Sequence, residues 1–149
     1  MLYSSIAILI IAADMLTKQW AVNYLQPIRD IPLWNGILHL TYVENTGAAF
    51  GMMRDMRWVF IVISIAAVIG IIWYLFKVKP ANLWLKLGLA FVLGGAVGNL
   101  IDRIRLGYVV DFIHAKVINF PVFNLADIFV CTGGFLIAIY CIIIDREKK

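Results

Sequence analysis

Apolar residues run along this chain in four long blocks, separated by segments that mix polar, glycine and aromatic residues. The first block extends from about Leu2 to Leu25 and is interrupted by Asp14 and Lys18. The second, Trp58 to Phe76, carries no charge. The third, Leu83 to Ile101, carries only Lys86, and the fourth runs from about Ile128 to Ile144, ending at Asp145. A bilayer-spanning helix needs about 20 apolar residues, far more than a core strand, so these lengths predict four spanning helices. An even number of spans puts both chain ends on one side. Lys77, Lys79 and Pro80 make a tight turn between the second and third blocks, which predicts an antiparallel hairpin. The two longer connections then share the opposite side. A cleaved signal peptide is the alternative for the first block. It lacks a basic start and an A-x-A site, and its apolar run continues past Asp14.

Composition agrees with the pattern. The chain has 149 residues, 63% hydrophobic and 15% charged, against about 45–50% and about 25% for a soluble domain. These values exclude an ordinary cytosolic domain, a disordered chain and a nucleic-acid module, and leave room for a single integral membrane unit over 1–149. The net charge of +4, from 13 Lys and Arg against 9 Asp and Glu, fits flanks that face lipid headgroups. Charge does not orient the spans by count. One side has Lys77, Lys79, Lys86, Arg146, Lys148 and Lys149; the other has Lys18, Arg29, Arg54, Arg57, Arg103, Arg105 and Lys116. The compact loop and basic tail favour ends facing the cytoplasm. Cys131 and Cys141 form no metal or redox spacing and read as packing residues.

The long connections are not plain loops. Leu38-His39-Leu40-Thr41-Tyr42-Val43 is rich in strand formers. Asn45 to Gly51 sets small residues beside an aromatic, and Tyr108-Val109-Val110 with Phe112-Ile113 surrounds Asp111 with apolar bulk. Such segments belong on or partly in the membrane surface. No internal repeat is present.

A charge near the bilayer centre costs on the order of 3 kcal/mol, so acids at or near spans need a reason. Asp14, Asp102, Asp111 and Asp127 can all lie toward one membrane side. Asp14 and Lys18 share a helix face at i,i+4, and the pair reads either as a self-neutralising element or as a holder of a neighbouring loop or substrate. Gly94 and Gly98 have a helix-packing spacing. Asn99 and Arg103 share the following face, with Arg103 able to pair with Asp102 or another carboxylate in a structural clamp. Asn124 can cap the fourth helix with Asp127 in its first turn. Capping alone accounts for Asp127 until Asp111 is considered. A connection that includes Pro121 can fold back and bring these two acids together. Two close carboxylates in a low-dielectric setting cannot both ionise easily, so one keeps a proton while the other acts as base and activates water. H-E-x-x-H and G-x-S-x-G motifs are absent. A D-x-x-H pair, Asp111 with His114, is the remaining metal reading.

Five motifs occur in order: Asp14-Met15-Leu16-Thr17-Lys18, Asn45-Thr46-Gly47-Ala48-Ala49-Phe50, Gly94 through Arg103, Val109-Val110-Asp111-Phe112, and Phe123-Asn124-Leu125-Ala126-Asp127. Together they resemble the bacterial lipoprotein signal peptidases, the signal peptidase II family, over nearly the whole length. The resemblance implies an all-α membrane protein with four transmembrane helices and a small extracytoplasmic β-rich cradle around Ile31 to Val43. It implies an aspartyl endopeptidase of the bacterial cytoplasmic membrane. Such an enzyme removes the signal peptide from diacylglyceryl-modified prolipoproteins just before the lipid-modified cysteine. Asp111 and Asp127 match the catalytic dyad. Asn45, Gly95, Asn99, Arg103, Asn124 and Ala126 match positions lining the site, and Asp14 matches an acid important for activity or stability. Both termini would be cytoplasmic and the dyad would sit near the outer surface. Glu44 departs from the basic residue expected there in many relatives. The expected partners are prolipoprotein substrates and membrane lipids, with no nucleic acid, cofactor or metal, and the expected state is a monomer. Rival readings are a small proton-conducting transporter using Asp14, Asp102 and Asp127, or an assembly factor packing through its glycines.

Overall fold

The computed structural model describes residues 2–47, 53 and 56–144. Helix α1 (Leu2–Trp20) continues through a wider turn over Ala21–Leu25, α2 (Arg57–Trp73) continues likewise over Tyr74–Val78, α3 spans Leu83–Arg105, and α4 (Leu125–Ile139) extends through Tyr140–Ile144. Four stretches of these helices, Tyr3–Leu25, Arg57–Val78, Leu83–Arg105 and Leu125–Ile142, are long and apolar enough to cross a membrane. The predicted spans are therefore present, with three boundary corrections. The third helix runs on past Ile101, so Asp102 and Arg103 lie on its last turns and do not follow it. The fourth begins at Leu125, three residues before the apolar block, because its first turn is set by a polar cap. The second begins at Arg57. Much of α2 presents apolar side chains outward: Trp58, Val62, Ile69 and Trp73 are exposed.

The tight turn after α2 has a clear cause. Lys79 adopts a left-handed conformation at φ 50°, and Pro80 follows, which cannot continue a helix. Asn82 then caps α3 by accepting the Leu85 N–H at 3.2 Å. Helix α3 is the centre of the bundle, packing against α4, α1 and α2. Small residues permit its close approaches, as the Gly94–Gly98 spacing predicts. A Cβ on Gly94 would lie 2.8 Å from Ile10 of α1. One on Gly95 would run into the Ala126 carbonyl oxygen of α4.

Between α1 and α2 lies the expected strand-rich segment, with β1 at Asp30–Trp34 and β2 at Leu38–Asn45. A third strand that periodicity does not reveal, β3 (Val109–Ala115), pairs antiparallel with β2 to give the order β1-β2-β3. Asp111 is thus on a strand and not in a loop. No alternation marks β3 because Val109, Val110, Asp111 and Phe112 are all buried, so both faces read alike. A small core of Ala21, Leu25, Tyr42, Val110 and Phe112 joins the end of α1 to this sheet.

Two irregularities in β3 place the site. Its register with β2 shifts between Leu40 and Val43, where Leu40 pairs with Ile113 but Val43 pairs with Asp111. Such bulges re-aim neighbouring side chains. The other side of β3 receives Phe123, whose N–H donates to the Ile113 carbonyl at 3.0 Å and whose carbonyl accepts the Phe112 and Ile113 N–H groups at 3.0 and 2.8 Å. This bridge brings the start of α4 beside Asp111. The cysteines depart from expectation. Cys131 and Cys141 are free and exposed, because α4 turns its flank outward. Residues 48–52 and 145–149, which include part of the small-residue segment and the basic tail, lie outside the described residues.

Candidate active site

Asp111 on β3 and Asp127 in the first turn of α4 line one cleft of about 370 Å³. Its polar wall also includes Asn45, Asn99 and Arg103; its apolar wall includes Val109, Phe120, Phe123, Ile128 and Cys131. Three asparagines hold the two carboxylates. Asn45 Nδ2 donates to Asp111 Oδ2 at 2.8 Å, and Asn124 Nδ2 donates to Asp111 Oδ1 at 2.7 Å. Asn99 Nδ2 donates to Asp127 Oδ1 at 2.7 Å. Asn45 reaches Asp111 because it pairs with Val109 across the sheet, and residues two apart on a strand share a face.

The helix cap that explains Asp127 as structure is present. Asn124 Oδ1 accepts the Asp127 N–H at 3.0 Å and Asp127 Oδ2 accepts the Asn124 N–H at 3.2 Å, a reciprocal capping box. The same carboxylate faces the cleft, so capping and presentation to the cleft coexist. Asp111 is 1% exposed. Burial first, and then the Asp127 carboxylate, raise its pKa to about 7; the Asn45 and Asn124 N–H groups and the Lys18 charge oppose that rise. Near neutrality one proton is therefore retained on this side of the pair.

Beneath the two carboxylates lies a buried ionic cluster. Lys18 Nζ is 2.8 Å from Asp14 Oδ2, 3.1 Å from Asp102 Oδ2 and 2.8 Å from Asn99 Oδ1. Asp14 Oδ1 accepts the Ala126 N–H at 2.9 Å, satisfying an orphan donor of the α4 first turn from another helix. Asp102 Oδ2 accepts the Val110 N–H at 3.1 Å. The i,i+4 pair expected of Asp14 and Lys18 forms, and Asp14 also holds a neighbouring element. Gly98 leaves room for it, since a Cβ there would come within 2.5 Å of Asp14 Oδ2.

Arg103 differs from expectation. Among the described residues it makes no ion pair within 4 Å; it donates to the carbonyls of Gly47 at 3.3 Å and Asn99 at 3.5 Å and lies 4.9 Å from the Phe60 ring centroid, while its charge acts on Asp127, Asp111 and Asp102 from farther off. Asp102 is taken by Lys18. Gly95 and Ala126 meet at the α3–α4 contact beside the cleft. Asp111 and His114 stand three apart on a strand and so face opposite sides; His114 Nδ1 is 3.3 Å from Thr41 Oγ1. The Asp-x-x-His chelate is not formed. Nor do Asp14, Asp102 and Asp127 form an open series, because the first two close on Lys18. Sequence reasoning missed the reach of Lys18 to Asp102 and Asn99. The available signal was one lysine within a span facing two same-side acids.

Comparison with known proteins gives a consistent result. The family model described as Signal peptidase (SPase) II matches residues 6–143. The chain is 41% identical to the lipoprotein signal peptidase of Clostridioides difficile (strain 630), covering 100% of both chains. It is 40% identical to that of Bacillus subtilis (strain 168), covering 100% of this chain and 98% of the relative. A solved bacterial membrane enzyme, obtained by the in meso method at 2.3 Å resolution, superposes with a TM-score of 0.87 at 29% identity, covering 99% of this chain and 90% of that one.

Proposed function

The chain belongs to the signal peptidase II family, and from that premise we propose that it is an aspartyl endopeptidase cutting diacylglyceryl-modified prolipoproteins just before the lipid-modified cysteine. The observation that carries this reading is the pair of carboxylates, Asp111 and Asp127, facing one cleft between the sheet and α4. Asp127 acts as the base. It receives two N–H donors and sits at a helix N-terminus, where the dipole favours an anion. Asp111 holds the proton. Both of its oxygens accept one N–H each, which leaves a position on each for the acid hydrogen.

The reaction follows from those roles. Asp127 removes a proton from water as the oxygen attacks the scissile carbonyl carbon. Asp111 gives its proton to the carbonyl oxygen. In the resulting tetrahedral diol, the proton on Asp127 passes to the leaving nitrogen of the cysteine. The C–N bond breaks, and one hydroxyl proton returns to Asp111. The dyad ends as it began.

The apolar wall of Phe120, Phe123, Ile128 and Cys131 takes the acylated part of the substrate from the side, while water enters from the sheet end. This arrangement excludes bulk water and positions the scissile bond. In this scheme the termini face the cytoplasm, the cleft faces outward, and the protein works as a monomer without metal or cofactor. The test is cleavage of a synthetic diacylglyceryl-prolipopeptide by purified protein. Asp111→Asn and Asp127→Asn should each lower kcat by at least about a thousandfold while the protein remains folded. Near-normal cleavage by either variant removes that residue from the mechanism.

A further inference from the structure

The water-attack scheme uses both aspartates and gives no role to the lysine beneath them. Lys18 is 3% exposed and lies at the junction of α1, α3 and the site. Its third contact is the informative one. Compensation of Asp14 and Asp102 needs no amide, yet Lys18 Nζ also donates to Asn99 Oδ1 at 2.8 Å.

An asparagine side chain has two unlike ends, an acceptor and a donor. Asn99 Oδ1 receives both Lys18 Nζ and, at 3.1 Å, Asn124 Nδ2. With two donors on the oxygen, the nitrogen must face Asp127. Turned over, Asn99 would set its NH₂ against an ammonium and present a carbonyl to the Asp127 carboxylate. The same oxygen also anchors Asn124, whose Nδ2 holds Asp111.

We propose that Lys18 is the positioning residue of the dyad, fixing the direction of the Asn99 amide so that Asp127 meets an N–H donor and stands as the base. This inference rests on the dyad reading given above. The charged groups around Lys18 are Asp14 on its own helix, Asp102 and Arg105 on α3, and Asp111 on β3, with Asp127 reached only through Asn99. Lys18 touches no substrate. It acts through Asn99, and its charge also favours the ionised form of Asp111.

The experiment compares wild type, Lys18→Met, Asp102→Asn and the charge-matched pair Lys18→Met/Asp102→Asn. Each is full length, purified in detergent, and assayed on the diacylglyceryl-prolipopeptide for kcat, KM and thermal midpoint from about pH 5 to 9. Lys18→Met should lower kcat about tenfold or more with KM within about twofold. Its alkaline limb should move up by about one pH unit, the scale expected for losing a cation two hydrogen-bonded amide atoms away. The charge-matched pair should melt near Asp102→Asn yet keep the low kcat and the shifted limb. A merely neutralising lysine moves the folded fraction and, through its charge on Asp111, the alkaline limb, but leaves the kcat of the folded enzyme unchanged. The proposal is overturned if the pair equals Asp102→Asn in kcat. Should Lys18→Met not fold, the pair measured against Asp102→Asn decides alone. Should the pair also not fold, Lys18→Gln, which keeps an N–H donor for Asn99 Oδ1, decides against wild type: it should hold kcat within about threefold, and an about tenfold loss at an unchanged thermal midpoint overturns the proposal. An active Asp111→Asn protein would instead overturn the dyad reading itself.

Discussion

Asp111→Asn should abolish cleavage and yet make the protein more stable at alkaline pH. The reasoning starts from burial. Asp111 is 1% exposed, and its pKa rises from 3.8 to about 7 in the fold. A carboxyl whose folded pKa is raised binds its proton more tightly folded than unfolded. Between about pH 4 and pH 7 the folded state therefore holds more protons, and stability falls as pH rises. The span of about three pKa units corresponds to about 4 kcal/mol, nearly all of it lost by pH 8. An asparagine at this position has no charge to bury and removes that loss. Its amide nitrogen, however, must face one of the two donors, Asn45 Nδ2 or Asn124 Nδ2, which costs about 1–3 kcal/mol. The net expectation at pH 8 is a gain of about 1–3 kcal/mol. At pH 4 the wild type should be the more stable. Equilibrium unfolding in mixed micelles, measured from about pH 4 to 8, would show the two stability curves crossing. If the variant is weaker at every pH and keeps the wild-type slope, Asp111 is not the buried proton carrier and the reasoning fails.

Other expectations follow from the same contacts. The pH–rate profile should be bell-shaped, with activity falling above about pH 7 as Asp111 loses its proton; a rate still rising at pH 9 removes Asp111 as the acid. Chelators should leave initial rates unchanged, because among the described residues no three His, Cys, Asp or Glu side chains gather to hold a metal ion; loss of activity restored by one divalent ion would revive a metal mechanism. Asp14→Ala should lower stability by about 3–5 kcal/mol, since it removes an ion-pair partner of Lys18 and the acceptor of the Ala126 N–H; an unchanged melting point with total loss of cleavage would give Asp14 a chemical role. Gly95→Ala should reduce both stability and kcat by driving α3 from α4, whereas Gly70→Ala, with open space around it, should be neutral or stabilise by up to about 1 kcal/mol; equal effects in thermal melts and cleavage assays would contradict the packing.

The helices were legible because lipid demands long uninterrupted apolar runs, and the chain supplies four. The helix cap at Asn124 and Asp127 was legible because capping is local: donor and acceptor are three residues apart. The strand carrying Asp111 was not. Its four buried residues in a row erase the period of two that identifies a half-exposed strand, and its partner β2 lies more than sixty residues upstream. The Lys18 network was hidden for a related reason. An i,i+4 partner explains a lysine completely at the level of sequence, so nothing local asks for a second acid on α3 or an amide beyond it. Arg103 was read as able to pair with Asp102 or another carboxylate; geometry gave Asp102 to the lysine, and Arg103, at the cleft, holds the Gly47 carbonyl and the Phe60 ring while its charge acts on Asp127 and Asp111 without contact.

The choice of asparagine around the dyad has a physical logic. A cation in direct contact with a carboxylate lowers its pKa by about 1–3 units. Arginine or lysine in place of Asn45 or Asn124 would hold Asp111 just as firmly but would strip its proton near neutrality, leaving two bases and no acid. Neutral amides orient the carboxylates through N–H donors and leave burial to set the proton affinity. Cations are present but not in contact with either acid: Lys18 is set back by one amide, donating to Asn99, which donates to Asp127, and Arg103 at the cleft spends its N–H groups on backbone carbonyls. The Lys18 charge is meanwhile balanced by Asp14 and Asp102, which accept the Ala126 and Val110 N–H groups adjoining Asp127 and Asp111. One buried cluster therefore fixes α4 beneath Asp127 and β3 beneath Asp111. The cost of burying it falls on the folded state, whereas its benefit, in the proposed mechanism, is a carboxylate pair whose geometry is set before substrate arrives.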